Sequence, residues 1–360
     1  MVSLNPTLTR IAAVGATPAR SRAVGVWLFG VAALVWAMIV VGGSTRLTGS
    51  GLSITEWDLI VGVLPPLAPG DWAQAFAKYR QSSQYHLINQ DISLDSFKVL
   101  FWWEWSHRLL GRLLGVSFAG PFLAFLLARK IPAHLVLRCW GLLALGGLQG
   151  LVGWWMVRSG LEGRASVAPE RLAAHLGLAL LLLSALVWTG LEAWTGEGRV
   201  TRRAGPWPLA TGLLAAGVYL QCLMGALVAG NKAGLIDGDW PLMAGRVWPE
   251  GYWRGGVWST FAHGLVAVQF DHRLLAYALV IAIAALVWRA ARSTTVRPAV
   301  RWLALGIGVA TLCQAALGVA ALWWRVPLAI ALAHQANAAL LLSLCVGLAW
   351  RVRRLQSTVS

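Results

Sequence analysis

Four of the seven histidines recur in matched surroundings. His107 lies in Glu104-Trp-Ser-His107-Arg108-Leu-Leu and His272 in Gln269-Phe-Asp-His272-Arg273-Leu-Leu. His175 and His334 each follow an alanine, as Ala174-His175 and Ala333-His334. All four fall near the starts of long apolar runs, where an ionisable side chain is costly and marks function. One isolated histidine of this kind could simply bond a neighbouring helix. Four in a two-by-two pattern point instead to ligation. His86, His134 and His263 have no counterpart and read as ordinary surface or interfacial residues.

Two imidazoles at one depth restrict what can be held. A zinc site wants further Cys, His or carboxylate ligands, and too few candidates lie at that level. The four cysteines (Cys139, Cys222, Cys313, Cys345) sit singly in apolar runs with no CxxC pair. Neither a disulfide framework nor a zinc site follows from them, and they read as small buried hydrophobes. A haem iron needs only two trans imidazole nitrogens from opposite helices of a bundle. Gly111, Gly115, Gly177, Ala336 and Ala338 are small enough to let a flat macrocycle approach. Arg108, Arg112 and Arg273 could pair with its propionates, or extend to lipid headgroups.

The two histidine segments differ at one chemical position. Three residues before the histidine, one helical turn away on the same face, the first carries Glu104 and the second Gln269. A carboxylate in a low-dielectric pocket can shuttle protons or stabilise developing positive charge. The plainer alternative is that Glu104 complements the positive end of a helix dipole. On the first reading, chemistry belongs to the N-terminal half and electron storage to the C-terminal half.

The elements that must position these residues are membrane helices. The chain has 360 residues, 58% of them hydrophobic and only 12% charged, with a mean hydropathy of +0.65. Soluble proteins carry roughly twice that charge, so disordered, collagen-like and disulfide-stapled classes are excluded. Runs long enough to cross a bilayer, about 20 residues each, fall at 24–42, 105–127, 135–156, 172–190, 207–229, 271–289, 302–322 and 328–350. The first is too long for a signal-peptide core and is expected to be retained.

A net charge of +16 could suggest nucleic acid, but its distribution says otherwise. The N-terminal segment (Arg10, Arg20, Arg22), the loops after spans 2, 4 and 6 with their helix ends, and the C-terminus hold 16 Lys+Arg against two acids, Glu192 and Glu197. Short connections such as Arg129-Lys130, Arg202-Arg203 and Arg351/Arg353/Arg354 carry the bias. Basic residues mark the cytoplasmic face, so both termini are expected there and the four histidines near the outer leaflet. The N-terminal basic segment then reads as a cytoplasmic anchor rather than an organelle transit peptide.

The pattern also repeats at a larger scale. Gln149-x-x-x-Gly153 matches Gln314-x-x-x-Gly318, and Gly51-Leu-Ser-Ile-Thr-Glu-Trp57 matches Gly234-Leu-Ile-Asp-Gly-Asp-Trp240. The offset is 165 residues for the first histidine pair and the glutamines, and 159 for the second pair. Four spans per unit keep both units in one orientation, a parallel repeat. The expected fold is an all-α integral membrane protein of eight transmembrane helices. They form two tandem four-helix bundles, residues 1–200 and 201–360.

These segments resemble the haem A synthase family over nearly the whole chain. The resemblance rests on Gly42-Gly-Ser-Thr-Arg46-Leu-Thr-Gly-Ser-Gly-Leu-Ser-Ile-Thr-Glu-Trp57, Glu104-Trp-Ser-His107-Arg108, Gln149-Gly-Leu-Val-Gly-Trp-Trp-Met-Val, Ser159-Gly-Leu-Glu, Arg171-Leu-Ala-Ala-His175-Leu-Gly, Val268-Gln-Phe-Asp-His272-Arg273 and His334-Gln335. It implies a membrane oxidoreductase that converts the C8 methyl of haem O to a formyl group by successive hydroxylations, giving haem A for terminal oxidases. It further implies that His272 and His334 hold a haem b cofactor, that His107 and His175 face the substrate haem, and that Glu104 is the essential carboxylate. The chain lacks the outer-loop cysteine pair of one branch, so it is similar to the branch shared by alphaproteobacteria and mitochondria. Lys232 departs from the acidic residue expected in the second outer loop.

The expected partners are haem O as substrate, the lipid bilayer, an electron donor that the sequence does not identify, haem O synthase and a second copy of the chain. Nucleic acid is not among them. Two rival readings remain at this point: a di-haem cytochrome b that only relays electrons, and an eight-helix transporter using its duplication for alternating access.

Overall fold

The structure, a computed structural model, describes residues 21–57, 61–196, 206–294 and 296–355. Arg10, Arg20, Glu197 and the Arg202-Arg203 pair, used above to orient the chain, lie outside these residues. Among the described residues there are no strands, only an isolated bridge between Met243 and Arg246. The α-helices run α1 Arg22–Leu47, α2 Pro69–Tyr79, α3 Ser83–Ile88, α4 Leu94–Leu127, α5 Ala133–Leu161, α6 Pro169–Thr195, α7 Pro206–Gly230, α8 Val257–His263, α9 Leu265–Arg292, α10 Pro298–Trp323 and α11 Leu328–Leu355. Eight of them (α1, α4, α5, α6, α7, α9, α10, α11) are long and apolar enough to cross a membrane. The chain is a multi-pass membrane protein with its spans in the expected order.

The largest departure from expectation is α4, which starts at Leu94 instead of near residue 105. Ser93 caps it by accepting from the Ser96 N–H at 3.2 Å, and Asp95 occupies the first turn. Phe97 and Phe101 then pack against Tyr79 and Trp72 from α2. Tertiary packing of an aromatic cap continues the helix beyond its apolar run, which hydropathy does not register. His107 and Glu104 therefore lie three to four turns inside the helix. A helix dipole acts within its first turn, and there the acid is Asp95. The dipole explanation for Glu104 fails.

In residues 22–195, α1 packs on α4 and α6, and α5 packs on the same two helices. In residues 206–355, α7 and α10 pack on α9 and α11 in the same way. The two groups meet along α6–α7, α1–α11 and α6–α11. Lipid provides no hydrophobic drive between helices, so small residues let backbones approach. A Cβ on Gly190 would meet Phe29 at 2.9 Å, and one on Gly177 would meet Leu223 at 2.8 Å and the Tyr219 hydroxyl at 2.9 Å. Gly177 thus faces α7 across the seam rather than a macrocycle. Trp36 of α1 makes the matching contact, its Nε1–H donating to the Ala336 carbonyl at 2.9 Å.

Both described ends of the chain lie at one end of the bundle. The Ser21 N–H donates to the Ala193 carbonyl at 2.9 Å, and Arg354 approaches Glu192 at 3.5 Å. Glu192 is buried and also accepts from Arg138 at 2.6 Å, tying α5, α6 and α11 together.

Candidate functional site

Each group of four helices presents its histidines from helices that do not pack on each other. His107 comes from α4 and His175 from α6, while His272 comes from α9 and His334 from α11. His107 and His175 are close enough to interact electrostatically, as are His272 and His334.

Four glycines set how these rings lie. A Cβ on Gly42 of α1 would sit 3.1 Å from His107 Nε2, and one on Gly153 of α5 would sit 2.9 Å from His175 Cε1. A Cβ on Gly225 of α7 would sit 3.2 Å from His272 Cε1, and one on Gly318 of α10 would sit 3.1 Å from His334 Cε1. Each imidazole edge therefore rests on the bare backbone of a neighbouring helix. One turn before three of these glycines stands a glutamine. Gln149 Nε2 lies 3.2 and 3.4 Å from the His175 ring nitrogens and donates to its carbonyl at 3.0 Å. Gln221 does the same to His272, at 3.0 and 3.3 Å from the ring and 2.9 Å from the carbonyl. Gln314 Nε2 is 3.1 Å from both ring nitrogens of His334. Under His107 that position, four residues before Gly42, belongs to Met38.

Sequence reading found Gln149 and Gln314 but missed Gln221. Its spacing, Gln-x-x-x-Gly, is the same, and only the methionine in the matching first-half helix hid it.

Glu104 is buried and tied to the loop after α1. Its Oε2 accepts from the Ser53 hydroxyl and the Ile54 N–H, both at 2.7 Å, and Oε1 pairs with Arg108. Arg108 also donates to the Glu56 and Ile54 carbonyls, each at 2.6 Å. The second half repeats the device without the acid. Arg273 donates to the carbonyls of Asp237 (2.9 Å), Asp239 (2.6 Å) and Leu242 (3.1 Å), and Gln269 donates to the Asp237 carbonyl at 2.9 Å. Both arginines pin the loops that follow α1 and α7, and their guanidinium groups are taken up by loop carbonyls. The second half does carry a carboxylate near its histidine, which the sequence reading passed over. Asp271 accepts from the Tyr252 hydroxyl at 2.9 Å.

Among the described residues no three His, Cys, Asp or Glu side chains gather. Two imidazoles from non-adjacent helices suit a haem iron better than a tetrahedral ion. The carbonyl oxygens of Gln149 and Gln221 are buried without a partner, on amides whose nitrogens lie against the rings. A ligating imidazole keeps one N–H, which is the donor such an acceptor wants. The residues fit the group.

The comparisons agree with this chemistry. The family model described as cytochrome oxidase assembly protein matches residues 25–346. A protein of Caulobacter vibrioides named Heme A synthase is 52% identical over 335 residues, covering 93% of this chain and 97% of its own. Another of that name, from Parvibaculum lavamentivorans, is 47% identical over 349 residues, covering 97% of this chain and 98% of its own. With matches of this extent, the chain belongs to the cytochrome oxidase assembly family that contains the haem A synthases.

Proposed function

We infer that this protein is a haem A synthase, an inner-membrane oxidoreductase that converts the C8 methyl of haem O to the formyl group of haem A. The methyl carbon is hydroxylated twice, a four-electron oxidation in all whose oxidant comes from outside the chain, and the gem-diol loses water to leave the aldehyde. The observation that carries this reading is the 52% identity over 93% of the chain to a protein of that name. The site chemistry supports it, because each half supplies the imidazole pair that one haem requires.

Residues 1–200 form the substrate half, with His107 and His175 facing haem O, and residues 201–360 the cofactor half, with His272 and His334 holding haem b. The matching helix contacts in the two halves support this tandem, parallel division. When bound, haem b supplies a one-electron carrier beside the substrate half. Glu104 lies one turn before His107 and pairs with Arg108. From there it can take up a proton at the carboxylate as the methyl is oxidised. Arg108 and Arg273 fix the loops that cover the two pairs and keep water from the site. The arginine-rich end of the bundle, with Glu192 buried in it, is assigned to the cytoplasm, which places the histidine pairs towards the outer leaflet. Haem O synthase is the partner that such a substrate calls for.

The test is to purify the full chain, extract its pigment and identify each haem by mass, then supply haem O to membranes lacking the endogenous enzyme. Haem b together with haem O or haem A, and formation of haem A, are expected. Haem b alone with no conversion would establish the electron-relay reading, and a colourless protein the transporter.

A further inference from the structure

The four histidines share one support and differ in one residue. Each ring rests on a glycine of the neighbouring helix: Gly42, Gly153, Gly225 or Gly318. For three of them an amide one turn earlier closes on the ring as well, from Gln149, Gln221 and Gln314. Residues i and i+4 share a helix face, so glycine and amide act on the same imidazole. Gln314 is itself held, since its Oε1 accepts from Asn337 Nδ2 at 2.8 Å. Both ligands of the second half are therefore fixed by an amide. In the first half His175 is fixed this way, and His107 has Met38 at the matching place. The Met38 methyl turns towards α4, where a Cβ on Gly111 would meet it at 3.4 Å.

A thioether sulfur is at best a weak acceptor for an imidazole N–H and has several low-energy rotamers. His107 therefore has the glycine without an amide beside it, where the other rings have both. Groups that orient a metal-bound histidine change its hold on the metal by about 10–100-fold. A substrate site must release product on every turnover, whereas a cofactor site must not. We propose that Met38 and Gln221, at matching places in α1 and α7, decide which half exchanges its haem and which keeps it. Gln221 locks His272 as a permanent ligand, and Met38 leaves His107 free to let substrate in and product out. This rests on the reading that both pairs hold haem.

The experiment measures haem loss from the purified full chain to excess apomyoglobin, followed in the Soret band. The wild type is expected to lose haem in two phases, fast from the first half and slow from the second. Met38→Gln adds the amide that the other three rings already have. It is expected to slow the fast phase about tenfold or more and leave the slow phase alone. Gln221→Met installs the residue of the matching position and is expected to speed the slow phase about tenfold. The low-spin electron paramagnetic resonance signal of each half should shift only in the variant that touches it, which a merely structural substitution would not produce. If Gln221→Met does not fold, Met38→Gln decides alone. Two-phase loss whose rates stay within twofold in Met38→Gln overturns this proposal and leaves the function intact. A wild-type protein without haem overturns the function first.

Discussion

The two halves use one frame and depart from each other at several places around the histidines, three of which bear most on their chemistry. Gly42 and Gly153 support the rings in the first half, as Gly225 and Gly318 do in the second. Arg108 and Arg273 seize equivalent loop carbonyls. Against that sameness, Glu104 stands where the second half has Gln269, Met38 where it has Gln221, and Ser106 where it has Asp271. The acid is shifted within the second half rather than lost. Successive residues on a helix point about 100° apart, so Asp271 and Glu104 leave their helices in different directions. Glu104 is drawn to Ser53, Ile54 and Arg108, and Asp271 to Tyr252. The first half thus has a loop-bound carboxylate one turn from a histidine that faces Met38's position. The second half has a glutamine beside each histidine and a carboxylate bonded to Tyr252.

The sharpest way to break this comparison is Glu104→Gln, which gives the first half the side chain of the second. A glutamine can still accept from Ser53 and Ile54, so the loop should stay in place and both haems should remain. If the carboxylate handles a proton, conversion of haem O should fall by about a thousandfold, within the range of a positioned acid–base group. The check is haem A formation alongside haem stoichiometry on the same preparation. Activity within threefold of wild type would reduce Glu104 to a loop anchor, the role Gln269 fills.

Removing the arginines sharpens the contrast in stability. Arg273→Ala takes away charge-assisted bonds to three carbonyls and should cost about 2 kcal/mol. Arg108→Ala should cost more, about 3 kcal/mol, because it also leaves the buried Glu104 charge without its partner. Thermal unfolding in detergent gives the order of the two variants. Adding Glu104→Gln to Arg108→Ala should recover part of the loss, whereas adding Gln269→Ala to Arg273→Ala should recover none. Equal costs for the two arginines would mean that Glu104 draws no stabilisation from Arg108.

Much of this contrast was legible in the sequence because it is written in residue type at fixed spacing. The eight spans follow from apolar run length, and the four histidines and the Glu104/Gln269 difference from the duplication. The start of α4 was not legible. Its first turns are held by Phe97 and Phe101 on α2, a contact between distant segments. Arg108 and Arg273 read equally well as propionate or headgroup partners, since a guanidinium suits any oxygen acceptor. Only the fold shows that loop carbonyls reach them first. Gly177 was small for a reason the sequence does not distinguish, a helix seam instead of a ligand. Asp271 was passed over because its partner, Tyr252, lies 19 residues away in an irregular loop.

That tie between Tyr252 and Asp271 gives the smallest expected effect, and it belongs to the second half alone. The Tyr252 ring is buried against Trp248 and Phe270, with centroids at 4.7 and 5.8 Å. Burial, together with the hydrogen bond to the Asp271 carboxylate, pushes the phenol up to about 12. An unfolded tyrosine ionises near 10, so the folded state holds its proton more tightly. The contribution is fully present below about pH 10 and is lost as pH rises through 12. Tyr252→Phe should therefore cost about 1 kcal/mol at neutral pH, and the gap to wild type should close and then reverse between those two values. The wild-type minus Tyr252→Phe absorbance at 295 nm isolates this one phenol among the five tyrosines. A midpoint near 10 instead of 12 would show a solvated hydroxyl with no hold on Asp271. Asp271 would then lack the one tie that the structure gives it, and its engagement by Tyr252 could no longer be what sets it apart from Glu104.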